Sequence, residues 1–203
     1  MTIGAILLAA GASRRMRDGN KLLMDYQGKP LIHHPLEALK ESRTPCLVIC
    51  GHQAPEVEAC VKACDPQAIC QTTSDYHLGL SHSLGFGLQH APKDWVACFV
   101  VLADMPDLDP VLLTRMKVLL RKQVAIVYPV RQGRRGNPVL WHRDLWQELI
   151  AVDGDRGGRD LIRHYDQKQG EKHTCACPWN DDGIFHDIDQ PQDFQKRCSL
   201  FRG

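Results

Sequence analysis

The 203-residue chain has almost no charge imbalance: 25 Lys and Arg stand against 24 Asp and Glu, a formal net charge of +1. A bulk electrostatic partner such as duplex DNA or an anionic membrane surface is therefore not expected, and any anion must be held by local clustering. Long apolar runs are missing as well. The amino-terminal run at residues 3–10 (IGAILLAA) is too short for a membrane span and has no basic region before it, so no signal peptide and a cytoplasmic protein are expected. Nine cysteines are present, an odd number and scattered; Cys60 with Cys64 and Cys175 with Cys177 are close pairs, and neither has a matching second half that makes a zinc-site pattern. They are expected to be small buried hydrophobes or free thiols in a reducing compartment.

Two nucleotide-binding signatures are lacking. Lys21 is followed by Leu22, where a P-loop needs Ser or Thr, and Gly11 stands alone where a dinucleotide fingerprint needs three glycines. No Ser-His-Asp or Cys-His set stands out for a covalent intermediate. Repeats, low-complexity tracts and linkers are absent too, so residues 1–203 are expected to form one domain.

What is present is an alternation of short apolar runs with amphipathic stretches. Residues 3–10, 46–51 (CLVICG), 68–73, 96–103 (VACFVVLA) and 124–130 read as strands, with shorter ones at 139–141, 173–177 and 185–188. Helices are expected from Pro30 through Leu39, over 54–64, from Gly79 to about Gln89, over 110–122, 143–152 and 160–165, and a last one over 191–198. Strands alternating with helices predict an α/β fold, a mainly parallel sheet covered on both faces. In such sheets ligands sit beyond the carboxyl ends of the strands. That rule gathers the Gly11 loop, Asp104 and the loop at 131–138 (RQGRRGNP) on one rim, where Asp189 can join them.

The residue types on that rim suit phosphate chemistry. Glycine lets a backbone turn tightly and approach a ligand, successive amides can cradle an anion, and Arg14, Arg15 and Lys21 follow within a few residues. The same stretch also suits an ordinary turn followed by solvated arginines. Asp104 ends the most apolar segment and is placed to hold Mg²⁺, which usually takes one or two carboxylates plus substrate phosphates. Asp187 and Asp189 offer a second carboxylate and, in an extended segment, share a side; capping of the following helix is the other use for Asp189. Ser81 and Ser83 can cap the helix that starts near Gly79, or line an anion site there.

Six motifs then occur in order: 8–16 (LAAGASRRM) with Lys21, 28–31 (GKPL), 79–84 (GLSHSL), 102–106 (LADMP), 136–139 (GNPV) and 187–193 (DIDQPQD). Together they resemble the nucleotidyltransferases that attach a nucleotide to the molybdenum cofactor, particularly the cytidylyltransferase branch. The resemblance covers nearly the whole chain and implies a Rossmann-like three-layer α/β/α fold. It implies transfer of CMP from CTP, with Mg²⁺, to the terminal phosphate of a molybdopterin-type cofactor, and release of pyrophosphate. Ala9, Ala10 and Gly11 would line the nucleotide, Arg15 and Lys21 its phosphates, and Gly79 and Ser83 the base or ribose. Asp104 and Asp189 would hold the metal, making Arg15, Lys21 and Asp104 the catalytic set. Arg135, Gly136, Asn137 and Pro138, with Arg159, would face the pterin. The cytidylyl branch follows from Ala10, where the guanylyl branch usually carries glycine. The chain departs from the pattern in the stretch Arg17-Asp18-Gly19-Asn20, one residue longer than usual before the lysine. Alternatives are the same fold using GTP or another phosphorylated acceptor, or a carrier that hands the finished cofactor to a molybdoenzyme.

Overall fold

Alternation along the apolar runs sets the layers. A computed structural model of the chain describes residues 2–12, 19–151, 157–167, 173–190 and 192–194. The first run forms β1 (Thr2–Ala9), where Ala5, Leu7 and Ala9 join one hydrophobic cluster and Ile6 and Leu8 another. β4 (Cys46–Cys50) divides likewise: Cys46, Val48 and Cys50 face the first cluster, Leu47 and Ile49 the second. In β6 (Trp95–Leu102), Ala97, Phe99 and Val101 face the first and Cys98 the second. A sheet apolar on both faces needs a helical layer on each. α1 (His33–Glu41), α2 (Ala54–Cys64) and α4 (Pro110–Leu119) supply one, through Leu36, Val57, Leu113 and their neighbours. α3 (Leu80–His90), α5 (Trp146–Ala151) and α6 (Gly157–Gln167) supply the other, through Leu88, Trp146 and Ile162.

Among the described residues the main sheet has eight strands, in the order β10 (His173–Pro178), β7 (Val124–Arg131), β9 (Val139–His142), β6, β1, β4, β5 (Ile69–Thr72), with β8 (Arg134–Arg135) beside β7. Its pairings are parallel except for β9 with β6 and β7, and β8 with β7. The expected mixed, mostly parallel α/β sheet is therefore present. β9 returns antiparallel because the link from β7 is hairpin-short, and it wedges between two strands that run the same way. The carboxyl ends of β1, β4, β6 and β7 consequently share one rim.

Three local readings change. Pro30 does not open a helix: β2 (Asp25–Tyr26) and β3 (Lys29–Pro30) form a small antiparallel ribbon. Its two turn residues, Gln27 (φ 54°) and Gly28 (φ 87°), both have the positive φ that a two-residue hairpin demands. α1 then begins at His33 and keeps Pro35 within its first turn, where no hydrogen bond is lost. Residues 185–188 are not a strand. A 3-10 turn at Asp182–Phe185 is followed by chain whose backbone bonds go to loops instead of a ladder: Ile184 O accepts from Asn137 N (2.9 Å) and Ile188 N donates to Asp104 O (3.0 Å). The last expected helix lies largely outside the described residues; residues 192–194 are helical.

The described cysteines are all free, and burial pushes the thiols of Cys46 and Cys98 well above their ordinary range. They behave as packed hydrophobes. Among the described residues no helix is long and apolar enough to cross a membrane.

α3 sits close on β1 and β4 because Gly87 has no side chain: a Cβ there would lie 2.8 Å from Ile6 Cγ2 and 3.0 Å from Ile49 Cγ1, both in the core. Gly87→Ala is expected to overpack this seam and destabilise the protein by about 1–3 kcal/mol. Urea unfolding checks this, with the midpoint falling and the slope unchanged.

Candidate active site

β1 and β6 end side by side, with Leu8 opposite Leu102 and Ala103 N donating to Leu8 O (3.2 Å). That register delivers Ala10 and Gly11 from one strand and Asp104 from the other to the same point of the rim. Ala10 is buried and its carbonyl accepts from His52 N (3.2 Å), fixing the exit from β1 against the loop after β4. Gly11 borders open space on a backbone that is not left-handed: its φ is not positive, and a Cβ built on it meets nothing within 4 Å. Ala9 lies behind, 1% exposed, and belongs to the core.

Lys21 occupies the centre. It opens a 3-10 turn (Lys21–Leu23) capped by Asn20, whose Oδ1 accepts from Leu22 N (3.1 Å). Asn20 Nδ2 also donates to His52 O (3.4 Å), so the lysine's turn is tied to the loop that fixes Ala10. From there Lys21 Nζ donates to Asp104 Oδ2 (2.7 Å), Ile188 O (2.7 Å) and Asp189 Oδ1 (3.1 Å). Burial works against the ammonium, but Asp104 and Asp189 outweigh it and hold the Lys21 pKa above its ordinary value. The raised value keeps the ion pairs intact through neutral pH; their stabilisation is lost only as pH climbs through the lysine's own titration. Asp187, close by, has its pKa raised by partial burial first and then by the charges of Asp189 and Asp104. Of the two, Asp189 pairs with Lys21 (3.1 Å), while Ile188 between them is buried.

Above these charges opens a cleft of about 400 Å³. Its walls bring together Ala10, Gly11, Lys21, Gly79, Ser83, Asp104 and Asp189, seven of the residues expected from sequence. Gly79 (φ 115°, ψ 179°) adopts a conformation essentially reserved for glycine and starts α3 without a side-chain cap. Ser83 is 3% exposed, caps nothing and lines the cleft. Asp189 does not serve as a cap either: its carboxylate goes to Lys21, while Asp193 Oδ2 accepts from the backbone of Asp189 and Gln190 (3.1 and 2.9 Å).

Tyr76 and Leu80 are two of the wall residues that the sequence did not single out. Tyr76 stands in the cleft because Gly51 leaves room for it; a Cβ on Gly51 would lie 2.6 Å from Tyr76 Cβ and 2.8 Å from Ala10 O. Leu80 is the other, 44% exposed on the first turn of α3. Asn20 was missed as well, although a capping residue just before a short apolar turn was its available signal.

The acceptor-side residues are not among the described walls of the cleft. Arg135 pairs with Asp166 (3.2 Å) beside Tyr128, Arg134 lies over the Phe185 ring at 4.3 Å, and Arg131 pairs with Asp182 (2.7 Å). Gly136 presses on Ile184, where a Cβ would come within 2.7 Å, and the Asn137–Pro138 peptide is cis. The loop is thus bound to the 182–189 segment, which reaches Asp104 and Lys21. Arg159 is exposed on α6. Arg14 and Arg15 lie outside the described residues.

The donor set fits a hard divalent cation. Asp104 Oδ1 is buried without a hydrogen-bond partner, an uncompensated carboxylate oxygen of the kind a cation would satisfy. Asp189 supplies a second carboxylate on the same ammonium. Among the described residues, no group of three or more His, Cys, Asp or Glu is arranged to hold a metal by itself. Magnesium's habit of binding one or two carboxylates together with substrate phosphates matches such a pair.

Residues 5–170 match the family described as MobA-like NTP transferase domain. A molybdenum cofactor guanylyltransferase from Vibrio cholerae is 30% identical over 200 residues, covering 96% of this chain and 91% of that one. Bifunctional GlmU proteins from Anaeromyxobacter are 36% identical over 85 residues, 40% of this chain, which spans only 17% of their length. Among solved structures, a nucleotidyl transferase from Methanothermobacter superposes with a TM-score of 0.81 at 21% identity, covering 98% of this chain and 97% of that one. Rv0371c of Mycobacterium tuberculosis, in complex with manganese, gives 0.77 at 20% identity, with 97% of each chain covered. These likenesses carry the fold: a Rossmann-like α/β fold shared with nucleotidyltransferases.

Asn20 is 4% exposed, and its amide holds Lys21's turn. Asn20→Ala strands a buried backbone N–H and is expected to cost about 1–3 kcal/mol of stability. A matching fall in the urea midpoint checks it; an unchanged midpoint means the turn holds without its cap.

Proposed function

The chain belongs to the MobA-like NTP transferase domain family, and on that premise we propose that it transfers CMP from CTP to the terminal phosphate of a molybdopterin-type cofactor, releasing pyrophosphate. One observation carries the reading: Lys21, Asp104, Asp189 and the open space at Gly11 converge on a single cleft. Such a set offers positive charge for a triphosphate and carboxylates for a cation side by side.

The nucleotide lies along the Ala10–Gly11 edge, with its phosphates in the space left by the missing Cβ. Lys21, and Arg15 from the same loop, neutralise the phosphates. Gly79 and Ser83 take the base or ribose at the start of α3, Tyr76 and Leu80 flanking them. Asp104 and Asp189 hold Mg²⁺, which supplies Lewis-acid neutralisation of phosphate oxygens. The segment at 182–189 couples the acceptor loop, with Arg135, Gly136, Asn137 and Pro138, to these charges; Arg159 adds to the acceptor side. An ionised phosphate oxygen of the acceptor attacks the α-phosphorus, a new P–O bond forms, and the bond to the β-phosphate oxygen breaks as pyrophosphate leaves. That step needs neither a protein nucleophile nor a strong base, so positioning and charge neutralisation supply most of the rate.

Ala10, which lines the cleft where the guanylyl branch usually carries glycine, supports a pyrimidine base, since a methyl there leaves less room. The guanylyl reading is favoured by the name of the Vibrio relative. The cofactor it would act on places the protein with a molybdoenzyme as recipient of the product, in the cytoplasm.

Asp104→Ala is expected to lower pyrophosphate release by about 100-fold or more, with the circular dichroism spectrum unchanged. Near-normal release in Mg²⁺ contradicts the role given to that carboxylate. Calorimetric titration separates the nucleotides: CTP is expected to bind about tenfold or more tightly than GTP, a gap of about 1.4 kcal/mol. The reverse order selects the guanylyl reading. Arg15→Ala is expected to weaken CTP binding more than Arg14→Ala in the same titration, and equal effects contradict the alignment of that loop.

A further inference from the structure

Lys21 Nζ does not point away from the carboxylates toward a phosphate. It is held by Asp104 Oδ2 at 2.7 Å, Asp189 Oδ1 at 3.1 Å and the Ile188 carbonyl at 2.7 Å, with only 12% of its side chain exposed. These carboxylates are the same ones given above to the divalent ion, and the inference rests on that assignment. An ammonium and a divalent cation drawn to one set of oxygens repel each other strongly in a partly buried site. The lysine is also an incomplete filler, since it satisfies Asp104 Oδ2 and leaves Oδ1 buried without a partner.

We propose that Lys21 competes directly with the divalent cation for Asp104 and Asp189, and that the triphosphate relieves the competition by drawing the ammonium onto its own oxygens. Lys21 is then a positioning residue with two alternative places. Paired with the carboxylates it excludes a metal; paired with phosphate it admits one. The arms of the switch are built into the chain. Asn20 anchors the turn that bears Lys21, so the side chain moves while its backbone stays. Ile188 and Asp189 are fixed by Asp104 O and Asp193, so the carboxylate cage keeps its shape when the ammonium leaves. Metal and nucleotide therefore bind cooperatively: each removes the obstacle to the other, and the coupling is reciprocal by linkage.

The test is Mn²⁺ binding to the nucleotide-free protein, read from the free-ion paramagnetic resonance signal. Lys21→Met is expected to bind Mn²⁺ at least tenfold more tightly than the parent protein, whereas Lys21→Arg, which keeps the charge, gains nothing. Lys21→Met/Asp104→Asn is expected to lose that binding, which locates the ion. Lys21→Gln serves in place of Lys21→Met if the latter does not fold. Equal or weaker Mn²⁺ binding by the neutral variant overturns the competition while leaving the transferase reading in place. Tight binding that survives Asp104→Asn overturns both this inference and the metal assignment. Failure of the transferase reading alone shows differently, as no Mg²⁺-dependent pyrophosphate release from the parent protein.

Discussion

A single ammonium bridging two carboxylates is the interaction on which the rim depends. Asp104 ends β6, Lys21 opens a turn well before α1, and Asp189 comes from near the end of the chain, so the bridge closes contacts across 83 and 168 residues of sequence. Each partner would be poorly placed alone. Burial would push the pKa of an unpaired ammonium down, and two facing carboxylates would repel. Held together they form a compact charged cluster, which suits a site proposed to receive a polyanion and its cation.

The sheet delivers this cluster with little freedom. β1 and β6 are locked in parallel register over most of their length, and both are apolar on both faces, so neither can slip without exposing core. The segment at 182–189 is tied to the β7–β9 loop and to Asp104 by backbone hydrogen bonds, Asn137 N to Ile184 O and Ile188 N to Asp104 O, and side-chain contacts add to them. It is the physical link between the loop given to the acceptor and the charges given to the nucleotide. Arg131 and Arg134 are engaged along that link, by Asp182 and Phe185, and Arg135 is held by Asp166 of α6. In the proposed reaction their charge would act on an acceptor from anchored positions, or after exchanging one partner for another.

Much of this was readable in the sequence, for reasons that can be named. The apolar runs at 3–10, 46–51 and 96–103 gave β1, β4 and β6, because strands buried on both faces need uninterrupted hydrophobic residues. The rule that ligands sit beyond strand ends then gathered Gly11, Asp104 and Asp189 correctly onto one cleft. Other features depend on contacts that no local pattern encodes. The antiparallel insertion of β9, the non-strand path at 185–188 and the seat of Tyr76 over Gly51 are all set by partners distant in sequence. The hairpin at Gln27–Gly28 was legible in principle, but Pro30 drew the reading toward a helix start.

The account's central claim is that a divalent ion and a triphosphate meet at Asp104, with Lys21 displaced from it. Crystals grown with CTP and Mn²⁺, measured near the manganese absorption edge, test this directly. The account predicts an anomalous peak in bonding contact with Asp104, including the Oδ1 atom that now lacks a partner, and Lys21 moved onto phosphate oxygens. A peak elsewhere, with Lys21 still bridging Asp104 and Asp189, would contradict it.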